Sequence, residues 1–183
     1  MPIPAMHVPD VLRGYERELA HALAAPMLYT WDESETYHNA DQAQAIGELL
    51  VRVIHTHLIN ASIAYVFREK MKTRDRTVWG KASKASGEVQ FFNAYDFVLK
   101  FNWLQWRGLS AMQKVALVDH ELSHCGHEVD DQTGKDKWVM VSHDIEEFGA
   151  IVQRWGLWRP DLVPFAGAVV HAHQLGLFEG APD

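Results

Sequence analysis

Cysteine is almost missing from this chain: Cys125 is the only one in 183 residues, so no intrachain disulfide can brace the fold and no cysteine-rich zinc finger can form. A reducing, cytoplasmic setting suits such a sequence. Long apolar runs are missing too. None approaches the roughly 20 residues that span a bilayer, and the start, MPIPAMHVPDVLRGYERELAHALAAP, has no basic leader followed by an unbroken apolar stretch. Neither a membrane partner nor a secretion signal is expected. Positive charge is scarce, with 17 Lys and Arg against 24 Asp and Glu, a formal net charge of −7 and a pI of about 5.8. Binding to nucleic acid relies on phosphate neutralisation, so this balance makes no strong case for it. One local exception gathers Arg68, Lys70, Lys72, Arg74, Arg76, Lys81 and Lys84, which read as a solvated hairpin. Internal repeats and low-complexity tracts are also lacking, which excludes a solenoid.

The composition itself, 48% hydrophobic and 22% charged, is that of an ordinary globular protein, and the length suits one core better than two. The expected organisation is a single domain over 1–183, with its core at about 41–158, an N-terminal helical extension over 1–40 and a C-terminal tail over 159–183. A helix is predicted from about Gly14 to Ala24, and a stronger one from about Asp41 to Leu58 with Ala45, Leu49, Arg52 and Val53 on one stripe. Ile63–Arg68 is rich in β-formers and Thr77–Lys84 could pair with it across the charged turn Lys72–Arg76. Phe97, Leu99 and Phe101 alternate with Val98, Lys100 and Asn102, as in a third strand with one buried face. Three strands between helices indicate an α+β fold.

The next helix carries the chemistry. Ser110 with Gln113 forms a capping-box pattern, and Gly126 is placed as the stop. Ala111, Val115, Val118, Leu122 and Cys125 form one apolar stripe, while Leu117, His120, Glu121 and His124 lie on another face. His120-Glu121-Leu122-Ser123-His124 is an HExxH sequence. Residues four apart lie one turn apart on a helix, so both imidazoles can reach one ion. Glu121 is angularly adjacent and suits a general base acting on water activated by zinc. A hydrolytic zinc site takes three protein ligands and keeps one position open. An HExxHxxGxxH continuation fails, because Gly126 comes one residue early and Asp130 stands at the ligand position. The preferred third ligand is His143, in Ser142-His143-Asp144-Ile145-Glu146-Glu147-Phe148, with Glu147 or Glu146 as alternatives. Before it lie the polar stretch His127–Lys137 and a short edge strand at Trp138–Val141. Ser142 is expected to cap a helix with Ile145, Phe148, Val152 and Trp155 on its apolar stripe and Gly156 as its stop.

The remaining candidates have plainer readings. His55/His57 and His171/His173 fall in segments read as helical, where residues two apart do not face each other. His127 suits a surface loop and Cys125 a buried thiol. Asp119 either steadies a ligand histidine or faces water, and Trp138 could border a cleft.

The order HExxH, variable loop, then His followed closely by Glu-Phe resembles the SprT-like and related small zincin metallopeptidases. In those, a later His in a His-Gly-x-x-Phe segment completes the zinc site. Here Asp144 stands where that pattern has Gly, and one further residue precedes Phe148. The chain more closely resembles the putative phage metallopeptidase family over about Ala61–Trp158, through ASIAYVFREK, VWGKASKASG, LVDHELSHC and HDIEEFGAIVQRWGLW. The resemblance implies a minimal gluzincin-like domain with a sheet of about three strands packed on the active helix. It also implies a Zn2+-dependent peptidase of a phage or its bacterial host, acting on a peptide or protein. Extended substrate would add to an edge strand, with Asp96–Trp103 as the strand nearest the active helix. The sequence leaves two alternatives open: a non-catalytic interaction protein pinned by zinc, and a metallohydrolase of a non-peptide bond.

Overall fold

The computed structural model describes residues 8–27, 30–74, 76–132, 134, 136–143, 148–160, 162–164 and 166–167. Helix α1 (Glu16–Leu23) is followed by the short strand β1 (His38–Asn39), helix α2 (Asp41–Val53) and a 3₁₀ turn (Thr56–Leu58). Next come β2 (Ile63–Arg68), the two-residue strands β3 (Lys72–Thr73) and β4 (Arg76–Thr77), β5 (Gly80–Lys84), α3 (Gly87–Asn93) and β6 (Phe97–Asn102). The last third holds α4 (Trp103–Trp106), α5 (Ala111–Ser123), the strands β7 (Cys125–Val129) and β8 (Asp136–Met140), and α6 (Gly149–Trp155). The architecture is α+β, as composition and periodicity indicate.

The central sheet has four strands in the order β1-β2-β6-β5. β2 and β6 run parallel in the register Ile63 with Phe97, while β5 pairs antiparallel with β6, Gly80 opposite Phe101. The expected hairpin between β2 and the 77–84 segment therefore does not form: β6 lies between them and pairs with both. The reason is burial. β6 presents Phe97, Leu99 and Phe101, all fully buried, so it takes the central position, where both edges are paired and one face is packed. Charged Lys81 and Lys84 leave β5 at the edge, where a sheet tolerates them. The turn Lys72–Arg76 instead closes its own small hairpin, β3 with β4.

Helices α2 and α5 pack against one face of this sheet, and Ile46, Leu49, Leu50, Val115, Val118 and Leu122 are buried there with the β6 side chains. The buried face of α2 runs through Ala43, Ile46 and Leu50, and Arg52 is exposed, so the stripe is rotated from the expected one. Gly47 lets α2 approach β2: a Cβ there would stand 2.6 Å from Tyr65 Cζ. The helix stops at Val53, before the expected end. Leu12, Leu19 and Ala22 join the same core, and Gln42 Nε2 donates to the Leu23 carbonyl, so the N-terminal segment is packed in rather than appended.

Helix α5 begins with the expected capping box between Ser110 and Gln113. It is buried almost all round its second half, and ends with His124 as C-cap before passing directly into β7. Gly126 is consequently a strand residue and not a helix stop. Its lack of a side chain admits Val139 and Val141, whose Cγ2 atoms would each lie 2.8 Å from a Cβ there. β7 and β8 form an antiparallel pair with Cys125 opposite Met140. The helix after it starts at Gly149, with Phe148 as an extended N-cap; Ser142 precedes it outside any helix. Gly156 ends α6 at a φ of +64°. Residues 171 and 173, with most of the expected tail, lie outside the described residues.

Candidate metal centre

Three imidazoles meet at one point. His120 and His124 extend from the last turn of α5 and its C-cap, and His143 reaches them from the segment after β8; their nearest ligand atoms all lie within 4.8 Å of one another. His143 Nε2 is 3.2 Å from His120 Nε2, against about 3.3 Å for two nitrogens sharing a tetrahedral zinc. The ring centroids of His124 and His143 are 4.4 Å apart. A second observation fits a metal. His124 Nδ1 lies 2.7 Å from the Val141 carbonyl oxygen, so Nδ1–H donates there and Nε2 is left as the unprotonated, metal-seeking nitrogen. Val141 N in turn donates to the His124 carbonyl, which ties the end of β8 to the end of α5 two residues before His143.

Two aromatic side chains flank the cluster. Phe148 lies within 5.6 Å of all three imidazole centroids, and fully buried Trp158 is 5.9 Å from His120. Low polarity of this kind strengthens electrostatic contacts inside. His120, His124, His143 and Glu121 line one cleft of about 700 Å³, together with Thr73, Arg76–Ala82, Leu117, Arg159 and Pro160. Glu146 and Glu147 lie outside the described residues.

Glu121 is 2% exposed and its carboxylate packs on Gly80 of β5. A Cβ at Gly80 would overlap Glu121 Oε1 and stand 2.8 Å from Cδ and 2.9 Å from Cγ. The strand that walls the cleft beside α5 is thus β5, and not the 96–103 strand, which is interior to the sheet. Sequence reasoning missed Gly80; its signal was a glycine inside a β-rich segment, which marks a close approach.

Asp119, next to the first histidine, does not face water. It is fully buried and accepts from His55 Nε2 at 2.7 Å, Arg154 Nε and Nη2 at 2.9 and 2.8 Å, and Trp155 Nε1 at 2.6 Å. Burial alone would raise its carboxyl, but the His55 hydrogen bond and charge, then Arg154, outweigh that and hold it below the ordinary value. His57 lies 3.0 Å from the Cys125 carbonyl oxygen through Nε2, so the His55/His57 pair serves the fold. Cys125 is buried, and burial followed by the Glu121 charge pushes its thiol up. His127 bonds Asp136 across the β7–β8 pair at 2.8 Å. Trp138 packs on Phe97 and His127, away from the cleft.

Among the described residues, no helix is long and apolar enough to cross a membrane. No curated protein and no solved structure matches the chain. The model of one family does match, over residues 35–169, a span that holds the sheet, α5 and all three clustered histidines, and the chain belongs to the putative phage metallopeptidase family.

Proposed function

We propose that this protein is a zinc-dependent peptidase whose metal is held by His120, His124 and His143 and whose general base is Glu121. The observation that carries this reading is the convergence of three imidazoles beside a buried carboxylate in one open cleft. A zinc ion bound there supplies Lewis acidity, lowering the pKa of water from 15.7 to about 7 and polarising a carbonyl. The chain's own residues do the rest. Glu121, pressed against the β5 backbone at Gly80, takes a proton from the attacking water at its carboxylate and hands it to the leaving amine. Phe148 and Trp158 pack beside His120, the buried member of the three imidazoles.

β5 ends the sheet and lines the cleft through Gly80, Lys81 and Ala82. An extended peptide would add to it through main-chain hydrogen bonds, which demand no particular sequence. The other two readings of the motif gain no observation of their own from this geometry.

The test combines elemental analysis with hydrolysis of an unstructured protein substrate. Wild type should carry about one zinc per chain, lost in His120→Ala and in His143→Ala. Glu121→Gln should keep its zinc and lose at least about 10²-fold in rate. Undiminished hydrolysis by Glu121→Gln would sink the mechanism, and zinc kept by His143→Ala would remove that residue from the ligand set.

A further inference from the structure

Strand β6 ends on a residue that departs from its own pattern. In the alternation of Phe97, Leu99 and Phe101 with Val98, Lys100 and Asn102, Val98 and Lys100 are half-buried, whereas Asn102 is only 3% exposed. A polar side chain so deeply buried is held by hydrogen bonds or costs stability. Two of its partners lie on the wall of the cleft. Asn102 Nδ2 donates to the Val78 carbonyl at 2.9 Å and to the Met71 carbonyl at 3.3 Å. Its Oδ1 accepts from Gln105 N at 3.4 Å and so caps α4. These partners fix which way the amide points, because the two carbonyls only accept and the Gln105 N–H only donates.

Met71 and Val78 flank the β3–β4 hairpin. Val78 N donates to the Met71 carbonyl at 3.0 Å, which closes the hairpin at its base, and Asn102 joins both sides of that base to the end of β6. The Met71 side chain is buried at the same place. Above the base the hairpin has little to hold it in shape. β3 and β4 have two residues each, all four exposed, and a hairpin so short is marginal in water. Yet Thr73, Thr77 and Val78 line the cleft that contains Glu121 and the histidine cluster. One wall of the site therefore depends on an anchor behind it.

Strand β5 is secured in a different way. Asn102 N donates to the Trp79 carbonyl at 2.8 Å, and the ladder continues with Gly80 opposite Phe101. These are main-chain bonds, which no change of side chain at position 102 removes. Gly80, against which Glu121 packs, keeps its place when the Asn102 amide is lost, whereas the hairpin does not.

Resting on the peptidase reading for the site, we propose that Asn102 is a positioning residue for the substrate. Its side-chain amide fixes the β3–β4 hairpin as the wall against which a bound polypeptide seats. It acts through that wall, so it governs how tightly substrate is held and leaves proton transfer at Glu121 unchanged.

The test uses the full-length, zinc-loaded protein and two variants. Asn102→Asp keeps an oxygen to cap α4 but offers no amide N–H to the two carbonyls. Asn102→Ser also keeps a capping oxygen and adds no charge. Hydrolysis of a labelled unstructured protein is measured per zinc-loaded chain, beside hydrogen exchange of residues 76–79 and of α5. Both variants should raise KM about tenfold with kcat within about twofold, the pattern of lost substrate binding, and should keep the zinc content of wild type. Exchange at 76–79 should quicken about tenfold or more, while α5 exchanges as in wild type. A residue that serves only stability would quicken α5 equally and lower the active fraction at unchanged KM. That result overturns the proposal, and so does a wild-type KM in a folded variant. Failure of both variants to fold overturns it too, because Asn102 then serves the whole fold. Faster exchange confined to 76–79, with no hydrolysis by any of the three proteins, upholds the anchor and sinks the peptidase reading. Hydrolysis by all three at one KM keeps the peptidase and removes Asn102 from it.

Discussion

A hydrogen atom at position 80 sets where Glu121, the proposed general base, can sit. Any larger residue in β5 would put its Cβ inside the Glu121 carboxylate, and the buried helix leaves Glu121 little room to retreat. We expect Gly80→Ala to keep its zinc and lower hydrolysis by about 10²-fold, the scale of a lost general base. Parallel metal and rate measurements check this, and a Gly80→Ala enzyme of full activity would refute it. At Asp119 the stake is stability. One carboxylate satisfies His55, Arg154 and Trp155 at once, so Asp119→Ala leaves buried His55 and Trp155 and half-buried Arg154 without it and should cost about 3–5 kcal/mol, read from urea midpoints. A loss under about 1 kcal/mol would mean that water replaces the carboxylate. Neither residue's role was legible beforehand. HExxH is a local pattern that helix geometry makes readable, whereas Gly80 and Glu121 are 41 positions apart and His55 and Asp119 are 64 apart.

Among the elements, the β7–β8 pair matters most, because it delivers His143. Its strands approach closely at Gly126, and β8 leads directly into Val141, whose carbonyl accepts from His124 Nδ1. Gly126→Ala should therefore do two things: destabilise the fold by about 1–3 kcal/mol through overpacking and weaken zinc binding by about tenfold or more, the scale of losing a partner that orients a ligand. Chemical denaturation and competition with a chromogenic chelator would separate the two. Unchanged zinc affinity would show that the hairpin does not tune the site. This pair also marks where element reading fell short. β7 follows α5 without a loop and contains Gly126 and Glu128, so its period-2 signal is weak and the glycine looks like a helix stop. Likewise β2 and β5 look like a hairpin because they are near in sequence, whereas β6, which follows both, is the more apolar partner and separates them. The capping box that starts α5 and the Phe97–Phe101 alternation were legible because each depends on neighbours within a few residues.

At the scale of the whole molecule, the clustered histidines join α5 to a segment reached only after the β7–β8 pair, so the proposed zinc binding should stabilise the entire fold. At zinc about 100 times its Kd the gain is about 2.7 kcal/mol, or a rise in Tm of roughly 5–10 °C for a chain of this size. Differential scanning fluorimetry should show that rise for wild type, its reversal by EDTA, and neither in His120→Ala. An identical rise in His120→Ala would place the zinc elsewhere. The parallel pairing of β2 with β6 carries a further consequence, for the order in which the protein comes into being. Among the described residues β5, the cleft wall, pairs only with β6, which a ribosome makes later, and Glu121 and the three histidines are later still. A nascent chain therefore cannot assemble the centre until residue 143 has emerged. By then β2, β5 and β6 are all available to enclose it, so the half-made protein never holds the proposed centre without its walls.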